Sequence, residues 1–410
     1  MKKRTLTIVM VTILATAAMS VSAQDQPRRQ RARQNAGQNA GQRNREQFKP
    51  KLFAELPEWC HNPDGLTVDE KTGKIYMNNP NFNGPAAGGK KKDFPATLNV
   101  FDKDGKFEKL LEYPPLEETG QTGAMGLDFG PDGNLYVCDN QYFYNKDHKS
   151  RILKVEMKDG KPTGNVTPVV VGLKLANAIL WHNNELWVTD SCLDLDGYFG
   201  IGGLWRFKGD EILKQTEPLK VLPNGQDKHL VVKEAVKKIG REDSTGADGM
   251  TVDNNGVIYF GNFGDGVMYA VTVDADDSVK CVKILDDERY QCCDGIFFDP
   301  ISKRIFINDS KENAIRWITP LQGTQTQVRS GVLWSNDDTD GTDGLLDQPC
   351  ECVILDGKMI IANFDYTFPG LKNVKFDAPH TMSVIDITPL QRRVQQQAGQ
   401  QRQGRDNANN

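Results

Sequence analysis

The sequence predicts an all-β chain closed into a six-bladed β-propeller. Three observations predict it: a strand-pair pattern that recurs six times, a spacing between copies that suits one propeller blade, and further strand-like segments after each copy. The clearest copy is "ADGMTVDNNGVIYFGNFGDGVMYAV", residues 247 to 271. Met250 and Val252 mark one strand, "DNNG" a tight turn, and Ile258, Tyr259 and Phe260 the returning strand. The start of the first strand and the end of the second then meet at one end of the hairpin. Asp248 and Asn262 are therefore expected to be neighbours.

The other copies are "PDGLTVDEKTGKIYMNN" from Pro63, "AMGLDFGPDGNLYVCD" from Ala124, "ANAILWHNNELWVTD" from Ala176, "CDGIFFDPISKRIFIND" from Cys293 and "CECVILDGKMIIAN" from Cys350. Segments such as "TLNVFDKDG", "RILKVEMKDG", "GLWRFKGD" and "AIRWITP" follow them and bring each blade to about four strands. Six blades need on the order of 300 residues at this period, which the span 51–390 supplies.

The flanks have a different composition. "MKKRTLTIVMVTILATAAMSVSA", residues 1–23, has a basic start, an apolar middle and a small-residue end, the pattern of a cleaved signal peptide, and lacks the uninterrupted apolar length of a membrane span. No cysteine follows it closely, so a periplasmic or secreted protein is expected, without a lipid anchor. Residues 24–50 and 391–410, rich in Gln, Arg, Asn and Gly, are expected to be disordered tails.

Between 51 and 390 there are 36 Lys and Arg against 52 Asp and Glu, a net charge of −16, which argues against nucleic acid as a partner. Eight cysteines in an exported chain suggest structural disulfides. The repeat register brings Cys138 near Cys192 and Cys60 near Cys350 and Cys352, and leaves Cys292 and Cys293 to pair with each other or with Cys281.

Stacking the copies aligns two sets of positions. The place of Asp248 is taken by Asp64, Met125, Asn177, Asp248, Asp294 and Glu351, and that of Asn262 by Asn79, Asp139, Asp190, Asn262, Asp309 and Asn363. The first strand of a blade lines the channel, so the first set forms a ring of oxygen-bearing side chains broken only at Met125. Four carboxylates on one axis repel each other unless a cation neutralises them, and an all-oxygen set suits a hard divalent ion. The competing explanation is that Asx-Gly merely serves the turn before each strand; it suits Asp64, Asp248 and Asp294 but not Asn177 or Glu351, which no glycine follows.

The turns at the far end of the hairpins are short, whereas the ring-side connections 80–97, 140–150, 191–203, 223–247 and 335–349 are long, so the ring mouth is the working face. Within one of them "KHLVVKEAVKKIG", 228–240, has helix-forming composition, suited to a lid or to a packed surface helix. "NDDTDGTDGLLD", 336–347, sets Asn336, Asp338, Asp340 and Gly341 at calcium-loop positions but ends in Asp347 where a bidentate Glu belongs. A solvated acidic loop is the expectation there, as for "DLDG" at 194–197.

"DGMTVDNNGVIYFGNFGDGVMY" and "NAILWHNNELWVTDS" resemble the blades of the gluconolactonase and senescence-marker-protein (regucalcin) family. The resemblance implies a six-bladed propeller, one divalent cation on a Glu, Asn and Asp set in the channel, and hydrolysis of sugar lactones. It implies that Asn177 and Asp248 are metal ligands and Asp248 the proton acceptor, with Asp64 in the place of the Glu. Counting blades from the N-terminus shifts the register by one and makes Asp294 the base, so Asp248 and Asp294 are both candidate catalytic residues.

The expected metal set is thus Asp64, Asn177, Asp248, Asp294 and Glu351, and calcium is the expected ion, with magnesium, manganese and zinc as alternatives. Asn79, Asp139, Asp190, Asn262, Asp309 and Asn363 are the expected contacts to the sugar. There is no GxSxG or HExxH, and His61, the one histidine near the ring, is expected to be a loop residue. The expected function is an exported, metal-dependent lactone hydrolase; the alternative is a non-catalytic propeller that binds a glycan or protein around a structural cation. A closed ring has no free sheet edge, so a monomer is the simplest expectation.

Overall fold

The computed structural model describes residues 46–82, 94–195, 200–223, 225–236, 245–320, 328–367 and 370–408. The expected signal peptide, residues 1–23, and the tail to residue 45 lie outside the described residues. From Phe48 onward the chain is one compact unit.

It holds six antiparallel sheets, one per predicted blade. Blade one comprises Leu66–Asp69, Lys74–Asn79, Thr97–Phe101 and Phe107–Glu112, from the axis outward. Blade two comprises Ala124–Phe129, Leu135–Asp139, Ser150–Lys158 and Lys161–Leu173, with a short fifth strand, Leu219–Lys220, parallel to the last. Ala176–His182, Glu185–Asp190, Ile201–Lys208 and Leu230–Ala235 make blade three; Ala247–Val252, Ile258–Asn262, Met268–Val273 and Val279–Leu285 make blade four. Blade five is Ile296–Asp299, Arg304–Asp309, Ala314–Ile318 and Ser330–Ser335.

Blade six takes three strands from the C-terminal part, Pro349–Leu355, Lys358–Asn363 and Thr381–Asp386, and its outer strand, Lys51–Glu55, from the start of the unit. Lys51 pairs with Val384 and Glu55 with Thr381. This pairing ties the two ends of the chain and closes the ring, leaving the innermost strands side by side around the axis.

The core consists of wedges between neighbouring blades. Tyr76 and Leu98 of blade one pack with Leu127, Val137 and Leu153 of blade two; Trp187 and Leu204 of blade three pack with Met250 and Phe260 of blade four. These side chains alternate along their strands with residues facing the opposite neighbour, so every blade is apolar on both faces. That is why the strands read as nearly continuous apolar runs.

Two expectations are corrected. The segment expected as a helix at 228–240 forms a strand over Leu230–Ala235, the outer strand of blade three, with Leu204 opposite Val232 and Ile201 opposite Ala235; residues 237–240 lie outside the described residues. β-branched Val231 and Val232 and an open sheet edge outweigh a local helical preference. The expected tail after 390 is helical, Thr388–Ala408. Leu390 is buried in the wedge between blades five and six, and Gln391 Nε2 donates to both carboxylate oxygens of Asp299 at 3.2 Å, which anchors the first turn.

All eight cysteines are free thiols, not disulfides, and all but Cys281 are buried. Burial raises the thiols of Cys60, Cys138 and Cys350 well above their ordinary range, which keeps them protonated and inert. Among the described residues no helix is long and apolar enough to cross a membrane.

Candidate functional site

The ring positions are set by irregularities at the head of the innermost strands. In blade four Ala247 pairs with Asn262, as the hairpin argument requires, but the next pair is Met250 with Phe260, which leaves Asp248 and Gly249 in a bulge. Blade three repeats this around Asn177 and Ala178, blade two around Met125 and Gly126, and blade six slips between Pro349 and Glu351. A bulge bends its strand and re-aims the side chain it carries. In blades one and five the acid precedes the strand and its amide is fixed by the second strand: Asp64 N donates to Asn78 O at 3.0 Å and Asp294 N to Asn308 O at 3.0 Å.

The glycine after the acid has a packing cause. A Cβ at Gly249 would lie 2.0 Å from the carbonyl oxygen of Asp294, and one at Gly65 would lie 2.4 Å from that of Met125. Neither glycine has a positive φ. Asx-Gly is therefore read by the adjacent blade, which approaches to backbone contact, and a turn is not what demands it.

The first ring is brought together. Asp64 and Asp248 are buried, and Asn177, Asp294 and Glu351 half-buried. Asn177 Nδ2 donates to Asp248 Oδ2 at 2.6 Å, so these two candidate ligands touch. The Ser310 hydroxyl sits against Asp294 Oδ2 and 2.7 Å from the Pro349 carbonyl. Glu351 Oε1 accepts from the N–H of Cys352 at 2.9 Å.

Burial is the first cause that raises all four carboxyls. Asp294 is pushed up to about 7, the Ser310 hydroxyl opposing the rise. Asp64, Asp248 and Glu351 are also raised well above the usual carboxylate range, first by burial, with the charge of Asp294 acting on each of them and that of Asp64 on Asp248 and Glu351. The ion pairs nearby, Arg151 with Asp139 and Arg316 with Asp309, belong to the second ring; none among the described residues reaches the four ring carboxyls.

The donor set fits a hard cation: every donor is oxygen, and among the described residues no ion pair neutralises the carboxyls. Among the described residues no three His, Cys, Asp or Glu side chains are close enough to hold an ion by themselves, so the Asn177 amide and water have to complete any shell.

The second ring is held otherwise. Asp139 accepts from Gly123 N at 2.8 Å and from Arg151 Nε at 2.6 Å. Asp190 accepts from Lys174 N and Leu175 N at 3.0 and 2.7 Å. Asp309 accepts from Gln291 N and Arg316 Nε, and Asn363 from Asp347 N. Each clamps the backbone that leads into its own innermost strand, and Asn79 donates to Asn81. All six, Asn262 included, are buried. These bonds give Asp139, Asp190, Asp309 and Asn363 a positioning task behind the first ring.

Two residues at the mouth escaped the sequence argument. Ser310 follows Asp309 as Ser191 follows Asp190, and Ser191 lies 3.4 Å from Asn177 Nδ2; the repeated Asp-Ser was the signal. Lys311 donates from Nζ to Gly264 O at 2.8 Å, over the Phe263 ring, and its charge favours the ionised form of Asp294. His61 is a loop residue as expected, its Nε2 2.6 Å from Glu58 O.

No protein-family model and no curated protein sequence matches the chain. Solved structures do. A luciferin-regenerating enzyme aligns with a TM-score of 0.52 at 13% identity, over 82% of this chain and 94% of its own. The PQQ-bound aldose sugar dehydrogenase of Streptomyces coelicolor aligns with a TM-score of 0.52 at 15% identity, over 82% and 97%. A gluconolactonase of Xanthomonas campestris aligns at 0.47 and 11% identity, over 83% and 95%, too distant to carry an argument by itself. The neighbours agree with the gluconolactonase and regucalcin resemblance at the level of fold, and at these identities fold is what they establish.

Proposed function

We propose that the protein is an exported, metal-dependent hydrolase that opens a sugar-derived lactone at the channel mouth. The observation that carries the proposal is the ring of four carboxyls, Asp64, Asp248, Asp294 and Glu351, which no ion pair among the described residues reaches, beside an Asn177–Asp248 contact of 2.6 Å. The resemblance of blades three and four supports the substrate class, and the first 23 residues support export. A monomer is the simplest assembly for a ring that closes within one chain.

Asn177 and Asp248 would hold the ion, with Glu351 and Asp64 as further oxygen donors and calcium as the expected species. When bound, a divalent cation polarises a carbonyl and lowers the pKa of water. Asp294, one blade on and held by Ser310, is the proton acceptor as water attacks the lactone carbonyl; a carboxyl poised near 7 suits that task at neutral pH. Lys311 stands where it favours the ionised form of this base. No covalent nucleophile is required.

Paired variants test these roles. Asp248→Asn is expected to lose both metal affinity and turnover, and Asp294→Asn to lose turnover by about 10²–10⁴-fold while keeping metal affinity. Full turnover in Asp294→Asn would remove it as the base. Aldonolactone hydrolysis and calcium titration of the same preparations are the two measurements.

A second reading is a non-catalytic propeller that binds a glycan or protein around a structural ion. It predicts metal binding without turnover on any lactone.

A further inference from the structure

We propose that the acidic loop between blades five and six, residues 336–347, forms a second cation site on Asp347 and Asp338, distinct from the channel and suited to calcium. The loop connects Ser330–Ser335 to Pro349–Leu355. It carries acids at 337, 338, 340, 343 and 347 and turns at Gly341 with φ of 68°.

An acidic loop alone is usually a solvated one, but this one buries its last acid. Asp347 is 3% exposed, and its Oδ1 has no hydrogen-bond partner. Asp338 Oδ1 and Asn373 Oδ1 are likewise buried without a partner, and the Asn373 amide nitrogen is already spent on Asp365 at 2.9 Å. All three orphan atoms are acceptors. A proton on Asp347 would supply one donor and satisfy one acceptor, whereas a cation satisfies several oxygens at once.

The surroundings agree. The charges of Asp365, Asp338, Asp377 and Asp340 act on Asp347, whereas those acting on Glu351 are Asp64 and Asp294, so the two acidic clusters are separate. Beside Asp338 opens a cleft of about 510 Å³ walled by Asp338, Asp340, Asp343 and Asp377, with Lys375 as the basic residue on its wall. Among the described residues no ion pair reaches Asp338 or Asp347; around them Lys372 lies 3.7 Å from Asp337 and His380 3.2 Å from Asp365.

The loop is not an EF-hand. Asn336, at its first position, is consumed by the fold: its Oδ1 accepts from Trp334 Nε1 and Leu346 N, and its Nδ2 donates to Leu346 O. Asp340 accepts from Thr342 N and Oγ1. Since no three carboxylates close on one point, amide, backbone and water oxygens would complete the shell, a mixture that calcium accepts and magnesium's stricter octahedron resists.

The test uses the full chain carrying Asp248→Asn, which disables the channel site, titrated with calcium by calorimetry. One calcium per chain is expected, with affinity reduced at least tenfold when Asp347→Asn or Asp338→Asn is added. Metal-free Asp347→Asn is expected to melt no lower than its parent, since a repelled acid is gone, while the calcium-induced rise in Tm seen in the parent is lost. If Asp347→Asn fails to fold, the half-buried Asp338→Asn decides. No calcium bound in the Asp248→Asn chain, or the same affinity with and without the loop substitutions, would overturn the proposal. Loss of lactonase activity in the Asp248→Asn chain bears on the channel alone.

Discussion

Asn177 and Asp248 meet because two adjacent blades each place a bulge at the same height, and Gly249 lets blade five close against that bulge without a clash. The electrostatic consequence is measurable. An acid whose pKa is higher in the folded than in the unfolded state binds its proton more tightly when folded. Its contribution is therefore favourable below the unfolded value and is lost as pH rises through the folded one. Asp294 moves from 3.8 to about 7 and Asp347 from 3.8 to about 9, both first through burial. The Tm of metal-free protein is expected to fall as pH rises from about 4 through 7 and on toward 9, and saturating calcium is expected to flatten that fall. Salt-bridged acids of the opposite sign, such as Asp287 at about 2, act below this window. A metal-free Tm that climbs across it would show that the ring and the loop are not repulsive. The first ring was legible because one residue type recurs at one position of a repeat. The second ring carried an equally regular signal but a different meaning at three of its members: Asp139, Asp190 and Asn363 accept from backbone N–H groups sixteen residues upstream, which the repeat alone does not reveal.

At the scale of elements, the hairpins were legible because both faces of each blade are apolar and their far-end turns are short and rich in Gly, Asn and Asp. Outer strands were not. Leu230–Ala235 has Lys and Glu among its residues and becomes a strand because Ile201–Lys208 offers an open edge to it. Lys51–Glu55 was likewise invisible as the closure of blade six, since its partners lie more than 300 residues away. Deleting Lys51–Glu55 exposes the edge of Thr381–Asp386 and removes the tie between the chain ends. A lower Tm and concentration-dependent association in size-exclusion chromatography are the expected outcome. A deletion that melts like the parent and stays monodisperse would mean that the wedges alone hold the ring.

For the whole molecule, a rigid ring of six wedges supports one acidic mouth, and the net charge of −16 between residues 51 and 390 draws cations toward it. The fold gathers four acids at one mouth, where burial and mutual repulsion raise their pKa values, and the tight packing of neighbouring blades resists their moving apart. A bound divalent ion relieves this repulsion, and catalysis is its proposed use. The direct measurement is hydrolysis of a panel of aldonolactones by metal-stripped protein, followed by pH-stat, with calcium, magnesium, manganese or zinc returned in turn. Turnover that is absent without metal, restored by one of the four and lost again in Asp248→Asn is the predicted result. Tight binding of that metal with no turnover on any lactone would contradict it.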